Sequence, residues 1–347
     1  MTESNRELRI GFLPWWPSNP YQVLLRAELR KQGFRVIGNP SLSMVRLIVG
    51  RDGLDVVHLH WPRALYSKKH ARIPYVIIVL LLYRLIRNNV VWTVHELKPH
   101  VSKYELVDRI FVAFLIRICR VLIVHSDYSY DHIRSTFNFP RDIVRVRHPS
   151  YRGVYSNTKN SDEARQRFGF QDDEIVFAYF GYVKPYKGVE TLMDTFRLFK
   201  GSNLRLLVAG VPLSEDIQKK VETIAHEDKR IHLDLRYIPD EEVQDYFNAA
   251  DIIVFPFRQS HTSGSIMLAL AFGKPMIVPA IASIPEYVDE QCAVFFDPSD
   301  NSGLQKAFCT TLKCDLKAMA ERARLRADEY SWQELAKSHA EVYRSIC

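Results

Sequence analysis

IVFAYFGYVKPYKGVETL, residues 175–192, decides the fold of this chain. Ile175–Phe180 is an apolar, β-favouring run that stops at Gly181. A short loop then carries Lys184 and Lys187, and Gly188 opens an amphipathic helix with Val189, Leu192, Met193, Phe196 and Phe199 at helical spacing. Strand, glycine, basic loop and helix in that order offer backbone N–H groups and the positive end of a helix dipole to an anion. Two lysines beside that positive end are repelled by it, and a phosphate lying between them removes the conflict. An ordinary strand–turn–helix with solvated lysines has the same pattern, so the loop alone leaves both readings open.

A second segment repeats the arrangement. Asp251–Pro256 is strand-like and Phe257–Thr262 polar. Ser263, Gly264 and Ser265 open an apolar helix that ends at Gly273, with Pro275 just beyond. Its hydroxyls and N–H groups suit an oxyanion, although helix capping explains the serines equally well. Outward from these segments the same alternation covers the chain. Strand-like runs fall at Leu8–Leu13, Arg35–Ile37, Val56–Leu59, Val90–Val94, Val121–Val124 and Ile143–Arg147. Six more follow at Ile175–Phe180, Leu204–Ala209, Ile231–Leu233, Ile252–Phe255, Met276–Val278 and Ala293–Phe296. Helical stretches separate them, which predicts an α/β protein with two Rossmann-like, doubly wound parallel sheets.

These segments together resemble the GT-B glycosyltransferases of the family-4-like group. FAYFGYVKPYKGVETL is similar to their phosphate loop, and IPDEEVQDYFNAADIIVFPF to the approach to their second nucleotide contact. ALAFGKPMIVP resembles the helix and strand that follow, and YSWQELAKSHAEVY the closing helix. DVVHLHWP and VWTVHE are weaker matches to strand ends. The resemblance implies two domains facing a central cleft. The first, residues 1–150, binds the acceptor, and 151–165 links it to a nucleotide-sugar domain at 166–330. A helix at 331–347 then crosses back to the first domain. Three departures accompany it. Ser260 and Leu268 stand where the family usually has a glutamate pair, and Tyr182 replaces a common arginine. The glycine-rich turn after the first strand gives way to Pro14–Tyr21.

The resemblance implies that Gly181, Tyr182, Lys184, Lys187, Gly188, Thr262, Ser263, Gly264 and Ser265 hold the donor. Lys187 also stabilises the leaving diphosphate, as a preorganised cation does for a developing oxyanion. His95, directly after the Val90–Val94 run, approaches the donor sugar. With the glutamate pair missing, Glu96 is the best-placed base to take the acceptor's proton, which implies inversion; as residue types go, it could equally cap a helix. Asn19, Tyr21 and His60 are the acceptor-side candidates. His58 shares a strand face with His60, and core packing is the simpler account of His58. No metal is expected, because His58 and His60 lack a third ligand cluster, and no cofactor beyond the nucleotide sugar is implied. GDP-mannose is the favoured donor by analogy, with UDP-sugars next, and a lipid-linked saccharide the favoured acceptor in bacterial polysaccharide assembly. A nucleotide-sugar epimerase or hydrolase of the same architecture, or a non-catalytic nucleotide-sugar-binding module, would share the loop.

Composition narrows the setting. The chain has 347 residues, 47% of them hydrophobic and 25% charged, as in a globular protein of two ordinary domains. Its net charge of +7 divides into +12 over residues 1–150 and −5 over the rest. A basic half points to an extended anionic partner. No nucleic-acid-binding signature is present, so no nucleic-acid partner is expected. Instead Lys68, Lys69, Arg72, Arg84 and Arg87 bracket the apolar run Ile73–Tyr83, which is too short to span a bilayer but suits its interface. A buried helix with solvated arginines would read the same way. Five cysteines without metal-ligand spacing fit a reducing compartment. The expectation is a cytoplasmic protein, peripheral at the inner face of the plasma membrane through its first domain.

Overall fold

A computed structural model describes residues 7–38, 53–66, 72–87, 89–96, 105–139, 141–259 and 264–347. Thr262 and Ser263, expected at the donor site, lie outside these residues, as do Lys68, Lys69 and Ser260. The chain forms two compact units, Met1–His148 with Ser331–Cys347, and Pro149–Tyr330.

The first unit is built on six parallel strands: β1 (Arg9–Leu13), β2 (Arg35–Gly38), β3 (Val56–Leu59), β4 (Val90–Val94), β5 (Val121–Val124) and β6 (Ile143–Arg145). Their order is β2-β1-β3-β4-β5-β6. β3, β4 and β5 are buried at every position, which is why they read as unbroken apolar runs rather than alternating ones. The chain leaves β1 toward one edge for β2 and returns on its other side for β3, so the switch point lies between β1 and β3. Helix Trp332–Ile346 packs along helix Pro20–Lys31 in this unit, burying Leu335, Ala336, His339, Ala340 and Tyr343. Helix Ile73–Arg87 buries Val76, Val79, Leu80 and Tyr83. Its other face leaves Tyr75, Ile78, Leu81, Leu82, Leu85 and Ile86 exposed, Leu85 by 81%.

The second unit has β7 (Ile175–Phe180), β8 (Leu204–Ala209), β9 (Ile231–Asp234), β10 (Ile252–Val254), β11 (Met276–Pro279) and β12 (Ala293–Phe296). All pairings are parallel in the order β12-β11-β10-β7-β8-β9, which sets the switch point between β7 and β10. All twelve strand-like runs of the sequence are strands, their ends differing by at most two residues. The stretch 151–165, read as a connector, is packed into this unit. The Ser150 N–H donates to the Tyr330 carbonyl at 3.0 Å, and helix Ser161–Phe168 starts within the stretch on an Asn160–Glu163 capping box. Helix Gly264–Ala271 stops at Gly273, whose φ of +62° closes the helix end.

Candidate functional site

At the carboxyl ends of β7 and β10 two loops meet backbone to backbone, and glycine permits it. Gly188 has φ +70°, and a Cβ there would come within 2.1 Å of the Pro256 carbonyl oxygen. Gly210, just after β8, has φ +134°, and its Cβ would lie 2.0 Å from the Gly181 carbonyl oxygen. The loops after β7, β8 and β10 thus form one surface at the second unit's switch point. Pro185–Lys187 is a single 3-10 turn, and helix Val189–Arg197 begins immediately after Gly188.

Lys187 is the unusual group on this surface. Its ammonium sits 3.6 Å from the centroid of the buried Phe257 ring and 5.6 Å from that of Tyr186. Burial and, secondly, the charge of Lys184 push its pKa down to about 7, and no carboxylate of the described residues counters them. Lys184 is half-buried, 4.9 Å from the Tyr182 ring centroid, and Tyr182 is 58% exposed. Two neighbouring cations, one desolvated and resting on an aromatic face, form an anion site by their chemistry. Ser265 closes it from the third side, with Oγ 3.6 Å from where a Gly181 Cβ would lie. Gly264 opens the helix beside it. Leu268 is a core residue of that helix, 7% exposed, so this position packs rather than binds.

The structure adds residues that local sequence does not single out. Beside Gly181 and Tyr182, an apolar slot of about 130 Å³ is bounded by Gly210, Arg236, Tyr237 and Ile238, from the loops after β8 and β9. A planar heterocycle fits such a slot. The glycine ending the β8 run was the available signal for Gly210. Phe257 had none, since its meaning is its place under Lys187.

In the first unit six histidines gather around the carboxyl ends of β3, β4 and β5. His58 and His60 have ring centroids 4.2 Å apart, and His60 Nδ1 lies 3.4 Å from His95 Nε2. One line of hydrogen bonds has a fixed direction. His339 Nδ1–H donates to the Leu335 carbonyl at 2.7 Å, so its Nε2 must accept, from the Thr93 hydroxyl at 3.4 Å. Thr93 then accepts from His58 Nε2–H at 2.7 Å, and His58 Nδ1 accepts from the Tyr343 hydroxyl at 2.5 Å. Every imidazole in this line is neutral. Burial first, then neighbouring imidazoles, hold His58, His60 and His95 well below the ordinary histidine range. Among the described residues no group of three His, Cys, Asp or Glu is placed to hold a metal ion.

The predicted first-unit residues take different positions in this layer. His95 and Glu96 are half-buried at the end of β4, and Trp61 stacks on His95 at 4.1 Å and 11°. Glu96 borders a small cavity shared with His60, Arg63, Tyr66 and Asp108. Tyr21 and His60 are 3% and 1% exposed and pack behind His95, with the Tyr21–His95 centroids 4.7 Å apart. Asn19 Oδ1 accepts from the Gln22 N–H at 3.1 Å, capping helix Pro20–Lys31.

Comparison with known proteins agrees with both units. The model of the glycosyl transferases group 1 family matches residues 174–314. A Xanthomonas campestris GDP-mannose:glycolipid 4-beta-D-mannosyltransferase is 28% identical over 79% of this chain and 73% of its own length. A second sequence of that name is 25% identical over 94% and 88%. Among solved structures, sucrose-phosphate synthase from Thermosynechococcus elongatus superposes with TM-score 0.76 at 16% identity, covering 98% of this chain and 99% of its own. The Anabaena protein HepE, solved with UDP, gives 0.73 at 15% identity, covering 98% and 100%. Two doubly wound sheets, the group 1 segment over residues 174–314 and these relatives together are those of a glycosyltransferase with the GT-B fold, similar to the family-4-like group.

Proposed function

We propose that the protein transfers mannose from GDP-mannose to a lipid-linked saccharide, with UDP-sugars the next donor class. The observation behind this reading is the desolvated Lys187 ammonium beside Lys184 at the switch point of the second sheet. The diphosphate lies against Lys184, Lys187 and the N–H group of Gly264, with Ser265 as a further donor and Gly188 as the close-packed turn that brings the loop to it. The base enters the slot between Tyr182 and Tyr237. The acceptor hydroxyl attacks the anomeric carbon, the bond to the diphosphate oxygen breaks, and Glu96 takes the acceptor's proton. Lysine charge stabilises the departing diphosphate in place of a metal ion. The name of the Xanthomonas relatives specifies a 4-beta-mannosyl linkage. Forming that linkage from an α-linked donor requires inversion, which supports Glu96 as base. Loss of the family's glutamate pair points the same way.

The exposed face of helix Ile73–Arg87 supports a peripheral membrane setting. Ile78, Leu82, Leu85 and Ile86 stand out between Arg72, Arg84 and Arg87, and Leu106 and Ile110 of helix Glu105–Ile118 are 68% and 60% exposed. An apolar stripe rimmed by arginines fits an anionic lipid surface. Among the described residues no helix is long and apolar enough to cross a membrane. Incubating the protein with GDP-mannose and a lipid-linked saccharide, then assigning the new linkage by NMR, tests the reaction. A β-mannosyl product lost in Glu96→Gln is expected. A retained anomer removes Glu96 from the mechanism, and donor turnover without any acceptor overturns the transferase reading.

A further inference from the structure

The turn after β1 places two consecutive tryptophans in opposite environments. Trp15 is 8% exposed and lies across Gly38, where a Cβ would come within 2.4 Å of its ring, and the Arg26 guanidinium covers it at 5.0 Å. Trp16 is half-exposed. Its backbone is tightly held. The Trp16 N–H donates to Gln22 Oε1 at 2.9 Å, and its carbonyl accepts from the Asn19 N–H at 3.0 Å. The fully buried Gln22 amide donates in turn to the Pro14 carbonyl at 2.6 Å. Trp61, at the end of β3, is also half-exposed and is flanked by His95 on one contact and Trp16 on the other, the latter at 5.0 Å and 31°. Three flat rings, His95, Trp61 and Trp16, therefore run in sequence from the end of β4 to the surface.

We infer that Trp16 and Trp61 form an aromatic platform on which a pyranose ring of the acceptor stacks. A half-exposed indole that rests on Trp61 and whose backbone is held by hydrogen bonds loses little entropy on binding, so contact with a flat apolar face is retained as affinity. The axial C–H face of a pyranose supplies that flat face, while its rim hydroxyls need polar partners, which Glu96 and His95 provide alongside. Continuity with His95 and Glu96 selects a sugar over an acyl chain as the occupant. This assignment rests on the transferase reading only in calling the sugar an acceptor. It also redistributes the acceptor side, with Tyr21 and His60 as the buried layer that holds the platform and Asn19 as the cap that holds its turn.

The test uses cellobiose, a soluble disaccharide with flat axial faces, and saturation-transfer NMR on the whole protein without donor. Irradiating indole resonances is expected to saturate the axial ring protons of one glucose unit. The signal disappears in Trp16→Ala and survives in Trp16→Phe, while GDP affinity is unchanged in both. In the transfer assay, Trp16→Ala raises the acceptor KM about 5–10-fold and leaves the donor KM unchanged, the loss of one aromatic contact. Absence of saturation transfer in the unaltered protein overturns the platform, as does full transfer in Trp16→Ala. If Trp16→Ala loses GDP affinity through misfolding, the unaltered protein and Trp16→Phe still decide. Sugar binding without nucleotide-sugar turnover keeps the platform and removes the transferase reading. Turnover with an unchanged acceptor KM in Trp16→Ala does the reverse.

Discussion

Lys187 makes donor binding a proton-linked event whose size follows from its surroundings. Without a ligand, burial and Lys184 hold its pKa at about 7, so it is about half charged at neutral pH. A diphosphate beside it favours the ammonium form and returns the pKa toward or above the ordinary lysine value of about 10.4. The sign is then fixed: binding takes up protons, and affinity is lost as pH rises from the free pKa toward the bound one. At pH 8 only about a tenth of the free lysine is charged, so each GDP bound takes up roughly 0.9 proton. Affinity falls nearly tenfold per pH unit between about 7.5 and 9.5, or about 1.4 kcal/mol per unit. The nucleotide contributes little there, because its phosphate is fully ionised well above about pH 6. Calorimetry of GDP binding in two buffers of different ionisation enthalpy measures the uptake directly. Lys187→Met keeps the side-chain length without the charge, so it should remove both uptake and slope. It should also weaken binding at pH 7 about 10–100-fold, the worth of one charge-assisted contact. If the unaltered protein binds both GDP and UDP with no proton uptake at pH 8, Lys187 does not touch the phosphates.

Other substitutions probe the remaining structure. Gly188→Ala drives a Cβ into the Pro256 carbonyl at a φ of +70°, so it should destabilise the second unit by about 2 kcal/mol or more and abolish GDP binding. Urea unfolding with GDP titration would show a tolerated alanine if this packing is wrong. The buried histidines should make the first unit acid-sensitive. His339 drops from about 6.5 unfolded to about 4 folded, so its stabilising effect is complete above 6.5 and fades as pH falls toward 4. By pH 5 His339 alone costs about 2 kcal/mol, and His58, His60 and His95 add in the same direction. A urea midpoint that is flat from pH 7 to 5 would contradict the neutral network. For the membrane face, Ile78→Glu with Leu85→Glu should abolish co-sedimentation with anionic vesicles while leaving GDP affinity intact. Equal binding of both forms to anionic vesicles would remove the apolar face from the interaction, and equal binding of the unaltered protein to neutral vesicles would remove the arginines.

The sequence by itself determined the twelve strands and the two doubly wound sheets. A parallel strand buried on both faces is an unbroken apolar run, and Ile175–Phe180 or Val90–Val94 announces this within six residues. The Lys184–Gly188 loop was legible for the same reason, as neighbours along the chain. Tertiary structure decided what those residues are like chemically. Lys187 becomes a half-charged lysine because the folded loops, Phe257 from another segment among them, bury it beside Lys184. His58 and His339 become neutral through burial, where segments almost three hundred residues apart in the chain close over them and join them in one hydrogen-bond line. Trp15 and Trp16 are adjacent and identical, yet Gly38 takes one into the core and leaves the other at the surface. Periodicity is a local property of the chain, whereas burial and charge state depend on contacts that exist only after distant segments meet.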